Sequence, residues 1–385
     1  MVIAGVPSCE DDVADAVADA VRDGIKLSVV GGGSKSGIGR QTAARELPMA
    51  GLAGVIQYEP SELVLTARPG TPLAELVLLL AENSQYFAFD PFDHGPMFGQ
   101  LAGSSTIGGI VAGGVSGSGR ISAGAARDHL LGFRAVSGRA EIFAAGGKVV
   151  KNVTGFDLSK LATQSWGRLF ALTELTLKVM PRPPERITLI LPGLGDRDAI
   201  RAMSVAMGSQ AEVAAAAHYP AAARNGESAT IFRIQGFGPS VAARRRMLEH
   251  LLADFGPLRI SSDREAAAMW ECLSTLAPLE RAKPLWRISV RPRRAAEVTA
   301  DFEDRDAAWL FDWAGGLVWL ATDADPAFVR AAAARRGGHA ALLRADRAIK
   351  NETAIFHPPA AGIAALEGRI REAFDPSRVF QTGRF

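Results

Sequence analysis

Apolar residues recur at helical spacing near the start of the chain, where Val13, Val17 and Val21 lie four positions apart. This spacing predicts an amphipathic helix that ends before Gly24. The short apolar run over residues 26–30 predicts a strand directly after it. Because that strand leads into a glycine-rich loop, the chain begins as a helix–strand–loop unit.

Further short apolar runs predict several more strands before residue 182. The runs cover residues 54–59, 63–67, 130–136, 141–144, 148–150 and 169–179. Gly146-Gly147, between two of these runs, is typical of a hairpin turn. A helix with Leu73, Leu76 and Leu80 on one face follows the turn at residues 69–72. The mixture of strands and helices predicts an α+β fold.

A proline-rich segment at residues 181–184 interrupts this pattern and predicts a domain boundary. Residues 183–345 are expected to form a second, smaller α+β domain. Its predicted strands, separated by alanine-rich helices, cover residues 187–191, 230–235, 286–290 and 317–321. Residues 346–385 are predicted to form a tail whose helix, residues 363–374, is long enough to pack back on the first domain.

Composition narrows the functional classes. A chain of 385 residues with 48% hydrophobic and 22% charged residues is typical of a folded enzyme of two or three domains. The net charge of +2 gives no reason to expect nucleic-acid binding. Cys9 and Cys272 are too far apart for a cysteine metal motif. An acidic N-terminal segment and the lack of an 18-residue apolar run predict a cytoplasmic protein with no membrane insertion of its own.

Two glycine-rich segments carry the candidate chemistry. One is Gly31-Gly32-Gly33-Ser34-Lys35, and the other places eight glycines between Gly103 and Gly124 without Pro, Asp, Glu or Lys. Because glycine has no Cβ, backbone N–H groups in such segments can approach the phosphates of a ligand. Neither segment has the signature of a P-loop or of a dinucleotide-binding βαβ unit. Apolar residues such as Ile107 and Val111 argue against a flexible linker, so the pair predicts a site for a large nucleotide.

The order of the motifs resembles a known family. The first glycine loop is followed by Pro-Gly-Thr-Pro-Leu at 69–73, Ser-Thr-Ile-Gly-Gly at 105–109, Lys-Asn-Val-Thr-Gly-Phe-Asp-Leu at 151–158 and Gly-Arg-Leu at 167–169. This order resembles the FAD-binding domain of the vanillyl-alcohol oxidase and p-cresol methylhydroxylase type. Residues 54–64, 285–290 and 374–384 make the chain most similar, within that superfamily, to the FAD-binding small subunits of glycolate oxidase (glycolate dehydrogenase) complexes.

The resemblance implies an α+β architecture with three parts. A two-lobed FAD-binding domain covers residues 1–182, with lobes of about 1–52 and 53–182. Residues 183–345 form a cap domain, and a C-terminal helix within 346–385 packs back.

The resemblance also implies a function. The chain is expected to be an FAD-binding subunit that passes electrons from a 2-hydroxy acid, glycolate, toward an iron–sulfur subunit, beside a second FAD subunit. It is expected in the cytoplasm, at the inner membrane only through these partners. Two alternatives remain open: a stand-alone FAD oxidase or dehydrogenase of an alcohol or hydroxy acid, and a flavin-free scaffold subunit.

The family pattern assigns contacts with FAD to residues in several segments. They are Gly31, Gly32, Gly33, Ser34, Lys35, Pro69, Gly70, Thr71, Thr106, Gly108, Gly109, Gly113, Ser116, Gly117, Ser118, Gly119, Asn152 and Leu172. The first loop would donate its backbone N–H groups to the pyrophosphate, with the charge of Lys35 in support. Asn152 has two equally weighted roles: a hydrogen bond to the pyrimidine edge of the flavin, or stabilisation of a turn around Gly155.

Histidines and arginines complete the sequence-based expectations. Some relatives attach flavin through a histidine near the first loop, but no histidine occurs between Met1 and Gln57, so the resemblance implies noncovalent FAD. The histidines are isolated from one another, and no metal site is predicted. Arg287 and Arg344 are the candidates for binding a substrate carboxylate. The alternative for each is an ordinary surface arginine that binds no ligand.

Overall fold

The computed structural model describes residues 5–147, 156–224 and 226–385. The α-helices in these ranges are α1 (Glu10–Arg22), α2 (Leu73–Glu82), α3 (Ile107–Gly113), α4 (Arg120–Ala123), α5 (Ala126–His129), α6 (Leu158–Ala162), α7 (Asp196–Met207), α8 (Gly238–Leu251), α9 (Asp263–Thr275), α10 (Ala295–Ala300), α11 (Pro326–Ala334), α12 (Arg347–Glu352) and α13 (Ala361–Phe374). None of them has the length and apolar character needed to cross a membrane.

The described strands alternate with these helices along the chain. They are β1 (Leu27–Val30), β2 (Arg45–Pro48), β3 (Val55–Glu59), β4 (Val64–Ala67), β5 (Gln85–Tyr86), β6 (Leu130–Ser137), β7 (Ile142–Gly146), β8 (Phe170–Lys178), β9 (Met180–Pro181), β10 (Glu185–Pro192), β11 (Ala215–Tyr219), β12 (Ala229–Gly236), β13 (Arg259–Ile260), β14 (Leu285–Ser289), β15 (Ala307–Asp312), β16 (Leu317–Thr322) and β17 (His339–Arg344). The predicted strand over residues 148–150 and the predicted contact of Asn152 lie outside the described residues.

The chain divides into two compact units. The first unit comprises Met1–Ser116, Gly124–Arg182 and Pro358–Phe385, and the second comprises Gly117–Ala123 and Pro183–His357. The C-terminal helix α13 therefore belongs with the first unit, as the sequence predicts.

The first unit has a small parallel pair of strands and a larger antiparallel sheet. Strand β1 pairs with β2, and the tail joins this pair because Leu27 forms a parallel bridge with Phe380. The larger sheet has the order β3-β4-β8-β6-β7. Helix α13 packs its last residue, Phe374, against Phe143 and Phe170 of this sheet. The tail is thus held in the apolar core of the unit that it closes.

The second glycine segment contains a helix. Ile107 and Ile110 of α3 are fully buried, and the Thr106 hydroxyl accepts a hydrogen bond from the Gly109 amide at 3.3 Å. Gly114 ends the helix with a φ of 62°, a conformation that glycine adopts without strain. Burial of the isoleucines offsets the low helix propensity of the glycines.

The second unit is built on an eight-stranded sheet in the order β13-β10-β12-β11-β15-β16-β14-β17. The sequence predicts β10, β12, β14 and β16, and these are confirmed. It fails at β11, where Ala215, Ala216 and Ala217 suggest helix. These alanines are fully buried between neighbouring strands, so sheet pairing overrides their intrinsic helix propensity.

Candidate functional site

The first unit contains a cleft of about 400 Å³ where strand β1 ends. It is lined by the glycine loop after β1, by the start of α3, by residues 165–172 before and within β8, and by the tail residues Thr382 and Arg384. Many of the predicted cofactor residues line it. These are Gly31, Gly32, Gly33, Ser34, Lys35, Pro69, Thr106, Gly108, Gly109, Gly113 and Leu172. Segments far apart in the sequence therefore form one cradle.

Several glycines of the cradle are required by the packing of its own loops. A Cβ added at Gly32 would overlap the carbonyl oxygen of Ser104 and lie 2.8 Å from its carbonyl carbon. A Cβ added at Gly108 would lie 2.6 Å from the Cβ of Pro69. Backbone atoms cannot move aside as a flexible side chain can. These glycines therefore let two loops approach each other closely enough to form the cleft.

The first loop provides unused hydrogen-bond donors. The backbone amides of residues 31–35 donate to no acceptor within the part of the chain that the structure describes. The second segment differs, because the Gly108 amide donates to the Pro69 carbonyl at 2.8 Å and the Gly109 amide donates to Thr106. Successive free N–H groups are a common way of binding a phosphate.

Lys35 places a positive charge in this cleft. Its side chain is buried, and Nζ donates to the Ser34 hydroxyl at 3.3 Å. Burial lowers the pKa of Lys35 to about 8; the charge of Arg384 also lowers it, whereas the Asp93 carboxylate raises it. The lysine is therefore a desolvated cation that an anionic ligand would stabilise.

The Asp93 carboxylate interacts electrostatically with Lys35 and is itself held by several hydrogen bonds. Burial raises the pKa of Asp93, but hydrogen bonds from the amides of Gly95 and Gly103 and from Ser105 lower it by more. The Ser105 hydroxyl lies 2.8 Å from Asp93 Oδ1 and 2.9 Å from the Ser34 hydroxyl. These bonds keep Asp93 ionised and tie the two glycine-rich segments together.

Arg384 brings a second cation from the end of the chain. Its Nη2 donates to the Lys35 carbonyl at 3.2 Å, and its guanidinium lies 5.0 Å from the ring centroid of Trp166. Burial lowers the pKa of Arg384 to about 10. Its Nε is buried with no hydrogen-bond partner among the described residues. Two desolvated cations in one cleft favour a ligand with several negative oxygens.

Sequence reasoning missed Ser165, Trp166 and Arg384. The Ser165 hydroxyl lines the cleft and is buried without a hydrogen-bond partner within the described ranges. Ser165 and Trp166 stand outside the glycine-rich motifs, and Arg384 ends the segment 374–384 that carries the family resemblance but had no predicted role at the cofactor. Only the folded chain brings them beside Lys35.

Three of the predicted cofactor residues belong to the first unit but are not among those lining the cleft. Thr71 donates its hydroxyl to the Arg68 carbonyl at 2.7 Å, and a Cβ added at Gly70 would lie 2.7 Å from the Leu52 carbonyl oxygen. The Ser116 hydroxyl accepts from the Ala126 amide at 3.0 Å. The structure uses these groups to hold turns, and their contact with FAD stays a prediction.

The predicted stretch Gly117, Ser118 and Gly119 belongs to the second unit and does not line the cleft. The Gly117 carbonyl accepts from the Trp313 indole at 3.0 Å, and the Ser118 hydroxyl donates to Asp312 at 2.9 Å. Because the whole segment is rich in glycine, the sequence predicts one ligand-binding stretch, whereas the fold divides the segment between the two units after Ser116. Contact of these three residues with FAD stays a prediction.

The two candidate substrate arginines both lie in the second unit. Arg344 ends β17, and its Nη2 donates to the Glu280 carbonyl at 2.8 Å. Its guanidinium therefore already has a structural role. Arg287 lies in the middle of β14 and makes no hydrogen bond or ion pair with any residue that the structure describes. Of the two, Arg287 has donors available for a ligand.

The cleft fits a dinucleotide cofactor with a diphosphate. Free amides of the first loop, the two buried cations and the unpartnered Ser165 hydroxyl supply the donors that a diphosphate and its adjoining sugar require. The lining also includes apolar atoms of Ile38, Met49 and Phe170, which suit aromatic rings. A flavin bound here would supply acceptance of two electrons from a substrate.

Comparisons with known proteins agree with this assignment. Residues 4–146 match the family described as FAD binding domain. The chain is 31% identical over 360 residues to the glycolate oxidase subunit GlcE of Escherichia coli, a match that covers 93% of this chain and 92% of the relative. It is 27% identical over 136 residues to the glycolate oxidase subunit GlcD of Bacillus subtilis, covering 35% of this chain and 27% of that one.

The fold also matches that of a solved enzyme. The structure of p-cresol methylhydroxylase with substrate bound superposes with a TM-score of 0.74 at 15% identity, and the match covers 98% of this chain and 87% of that one. At this identity the likeness concerns the fold. Together with the match along the length of GlcE and the chemistry of the cleft, it shows that the chain belongs to the FAD-binding oxidoreductase family of GlcE and that its cofactor is FAD.

Proposed function

We propose that this chain is the FAD-binding subunit of a complex that oxidises a 2-hydroxy acid, glycolate, and delivers the electrons to an iron–sulfur subunit. The observation that carries the proposal is the match to GlcE, because it extends through both units. A relative that shared only the cofactor would be expected to match the first unit alone. The second unit is therefore expected to serve the same task as in GlcE.

A second flavoprotein is proposed as a partner. This chain is also similar, over a shorter stretch, to a glycolate oxidase subunit with a different name, GlcD. Two related FAD-binding chains in one complex would divide substrate oxidation and electron transfer between them. Attachment to the inner membrane is proposed to go through the partner subunits.

FAD is proposed to be held noncovalently. The residues lining the cleft include no histidine, cysteine or tyrosine within the described ranges. Ser34 and Lys35 follow the glycines of the first loop, and neither is a usual attachment point for flavin. The free amides of residues 31–35, with Lys35 and Arg384, would then provide the affinity.

Arg384→Met is expected to weaken FAD binding by about tenfold to a hundredfold, because it removes charge-assisted hydrogen bonds worth about 1.5–3 kcal/mol. The measurement is a titration of apo-protein with FAD, followed by flavin fluorescence. Arg369→Met is the matched control, since Arg369 is exposed on α13. Equal FAD affinity in Arg384→Met and in the control would show that Arg384 does not contact the cofactor.

The proposed function is tested by purifying the tagged chain from its native host. We expect a second flavoprotein and an iron–sulfur protein to co-purify, and the complex to reduce a dye acceptor when glycolate is added. Recovery of the chain alone with full glycolate oxidation would instead establish a stand-alone enzyme. Recovery of an active complex in which this chain carries no flavin would establish a scaffold.

A further inference from the structure

The C-terminal tail is held to the first unit in two different ways, and residues 375–381 are fixed by the core. Phe380 is fully buried, and the Val379 carbonyl accepts from the Leu27 amide at 2.8 Å. The buried Asp375 carboxylate accepts from the Val379 and Phe380 amides at 2.7 and 3.1 Å. This part of the tail is therefore expected to open only when the unit itself unfolds.

Residues 382–385, which follow, are held by few contacts. Each of them is at least partly exposed. The Gly383 carbonyl accepts from the Arg40 amide at 2.7 Å, and Arg384 Nη2 donates to the Lys35 carbonyl at 3.2 Å. Segments with little buried apolar surface open locally at a low cost in free energy. These residues can therefore leave the cleft while the rest of the tail stays in place.

The backbone is shaped for a close approach of this segment to the chain just after the first glycine loop. A Cβ added at Gly383 would overlap the Arg40 carbonyl oxygen, and a Cβ added at Gly39 would lie 2.8 Å from the Gly383 carbonyl oxygen. A side chain at either glycine would hold the two segments apart. The docked position is therefore a specific one.

Two positive charges oppose docking. Burial lowers the pKa of both Lys35 and Arg384, and the charge of Arg384 lowers that of Lys35 further. Neither cation forms an ion pair with any residue that the structure describes. The Asp93 carboxylate raises the pKa of Lys35, but its Oδ1 already accepts from the Gly95 amide and the Ser105 hydroxyl, at 2.8 Å each. One carboxylate offsets only part of the charge of two desolvated cations.

Trp166 receives the Arg384 guanidinium without neutralising it. The guanidinium lies 5.0 Å from the ring centroid, and Trp166 lines the cleft. Trp166 has a φ of 55°, a left-handed conformation that is unfavourable for a tryptophan. Strain of this kind persists where the surrounding structure imposes it and is concentrated at functional sites. Because a cation–π contact leaves the charge intact, Arg384 can still attract an anion in the cleft.

We propose that residues 382–385 are a C-terminal latch whose docking is coupled to the binding of FAD. The diphosphate supplies the negative charge that Lys35 and Arg384 lack, and the docked latch in turn retains the cofactor. Such coupling is reciprocal, so each event strengthens the other by the same factor. The inference goes beyond the cofactor assignment and the proposed function, since neither requires any part of the chain to move. Opening of the latch would then limit the release of a noncovalently bound cofactor.

The test is hydrogen–deuterium exchange of single backbone amides in the full chain, with and without FAD. The Arg40 amide reports on the latch, because its acceptor is the Gly383 carbonyl. The Gln381 amide is the internal control, because it donates at 2.7 Å to the Leu27 carbonyl in the fixed part of the tail. Saturating FAD is expected to slow exchange at Arg40 at least about fivefold and to leave exchange at Gln381 unchanged.

Lys35→Met separates closure of the latch from direct shielding of the Arg40 amide by the cofactor. The variant removes one of the two opposing charges but keeps the backbone carbonyl to which Arg384 donates. We expect its latch to be docked without FAD, so exchange at Arg40 is already slow and FAD slows it by less than about twofold. Lys178→Met is the matched control, since Lys178 is partly exposed on β8 and does not line the cleft. It should show the full effect of FAD.

Two fragments of the cofactor show which part closes the latch. Inorganic pyrophosphate carries the negative charge and is expected to slow exchange at Arg40, whereas uncharged adenosine is not. Equal exchange at Arg40 with and without FAD, or an FAD effect of the same size in Lys35→Met and Lys178→Met, would overturn the inference. Slowing by adenosine but not by pyrophosphate would also overturn it. No substrate or partner takes part in these measurements, so their outcome is independent of the proposed function.

Discussion

Gly109→Val is expected to give a folded protein that has lost most of its affinity for FAD. Gly109 lines the cleft, and an added Cβ would have only ordinary contacts, 3.4 Å to the Thr106 hydroxyl and 3.5 Å to Lys35 Nζ. The valine side chain would therefore occupy space that the cofactor needs without disturbing the fold. Overpacking of about 3 kcal/mol corresponds to a loss of about a hundredfold in affinity.

Two other glycine substitutions show whether this effect comes from the cleft. Gly362→Val changes an exposed glycine of α13 with nothing within 4 Å, so it should bind FAD normally. Gly32→Ala should lower both FAD affinity and the melting temperature of the apo-protein, because its Cβ would overlap backbone of Ser104. Full flavin content in purified Gly109→Val would contradict the assignment of the cleft.

Lys35→Met is expected to weaken FAD binding and to stabilise the apo-protein at pH 7. Removing one partner of a buried, charged contact costs about 2–5 kcal/mol of binding, which is about thirtyfold or more in Kd. In the apo-protein the same lysine is a desolvated charge whose side chain, among the described residues, hydrogen-bonds only to Ser34. A methionine of similar volume avoids that desolvation, so the apo melting temperature should rise.

The pKa of Lys35 sets the pH dependence of both effects. The folded apo-protein releases this proton near pH 8, whereas the unfolded chain holds it to its ordinary pKa of 10.5. The unfolded chain thus binds more protons between these values, so the lysine's contribution to stability rises with pH through this window. FAD affinity should fall from pH 8 upward, because only the protonated lysine attracts the diphosphate.

Comparison of the unaltered chain with Lys35→Met isolates this group from all others that titrate. The difference in apo melting temperature should shrink as the pH rises above 8, and the ratio of the two FAD dissociation constants should approach one. A ratio that stays constant from pH 7 to pH 10 would show that Lys35 does not act through its charge.

Much of the cofactor site could be predicted from local sequence. The glycines of residues 31–35 and 106–109 predict a close backbone approach to a ligand, and residues 31–35 with Thr106, Gly108 and Gly109 do line the cleft. The short apolar strands around them were also predicted, because alternation of polar and apolar residues is a local property.

The rest of the cleft could not be predicted, because it depends on contacts between distant segments. Arg384 lies in the segment 374–384 that carries the family resemblance, but its contact with Lys35, 349 positions away in the sequence, exists only in the folded chain. Ser165 and Trp166 have no motif. Their role follows from burial and unused hydrogen-bond donors, which exist only in the folded chain.

The sequence by itself determined the positions of the glycine loops, because the absence of a Cβ is a property of each single residue, and the FAD cofactor was implied by the resemblance of the motifs to a known family. Tertiary structure decided that Gly117–Ala123 belongs to the second unit, that Ala215–Tyr219 is a strand, and that Arg287 rather than Arg344 has free donors. The physical reason is that burial and hydrogen-bond satisfaction are properties of pairs of residues, and the pairs that matter here lie far apart along the chain.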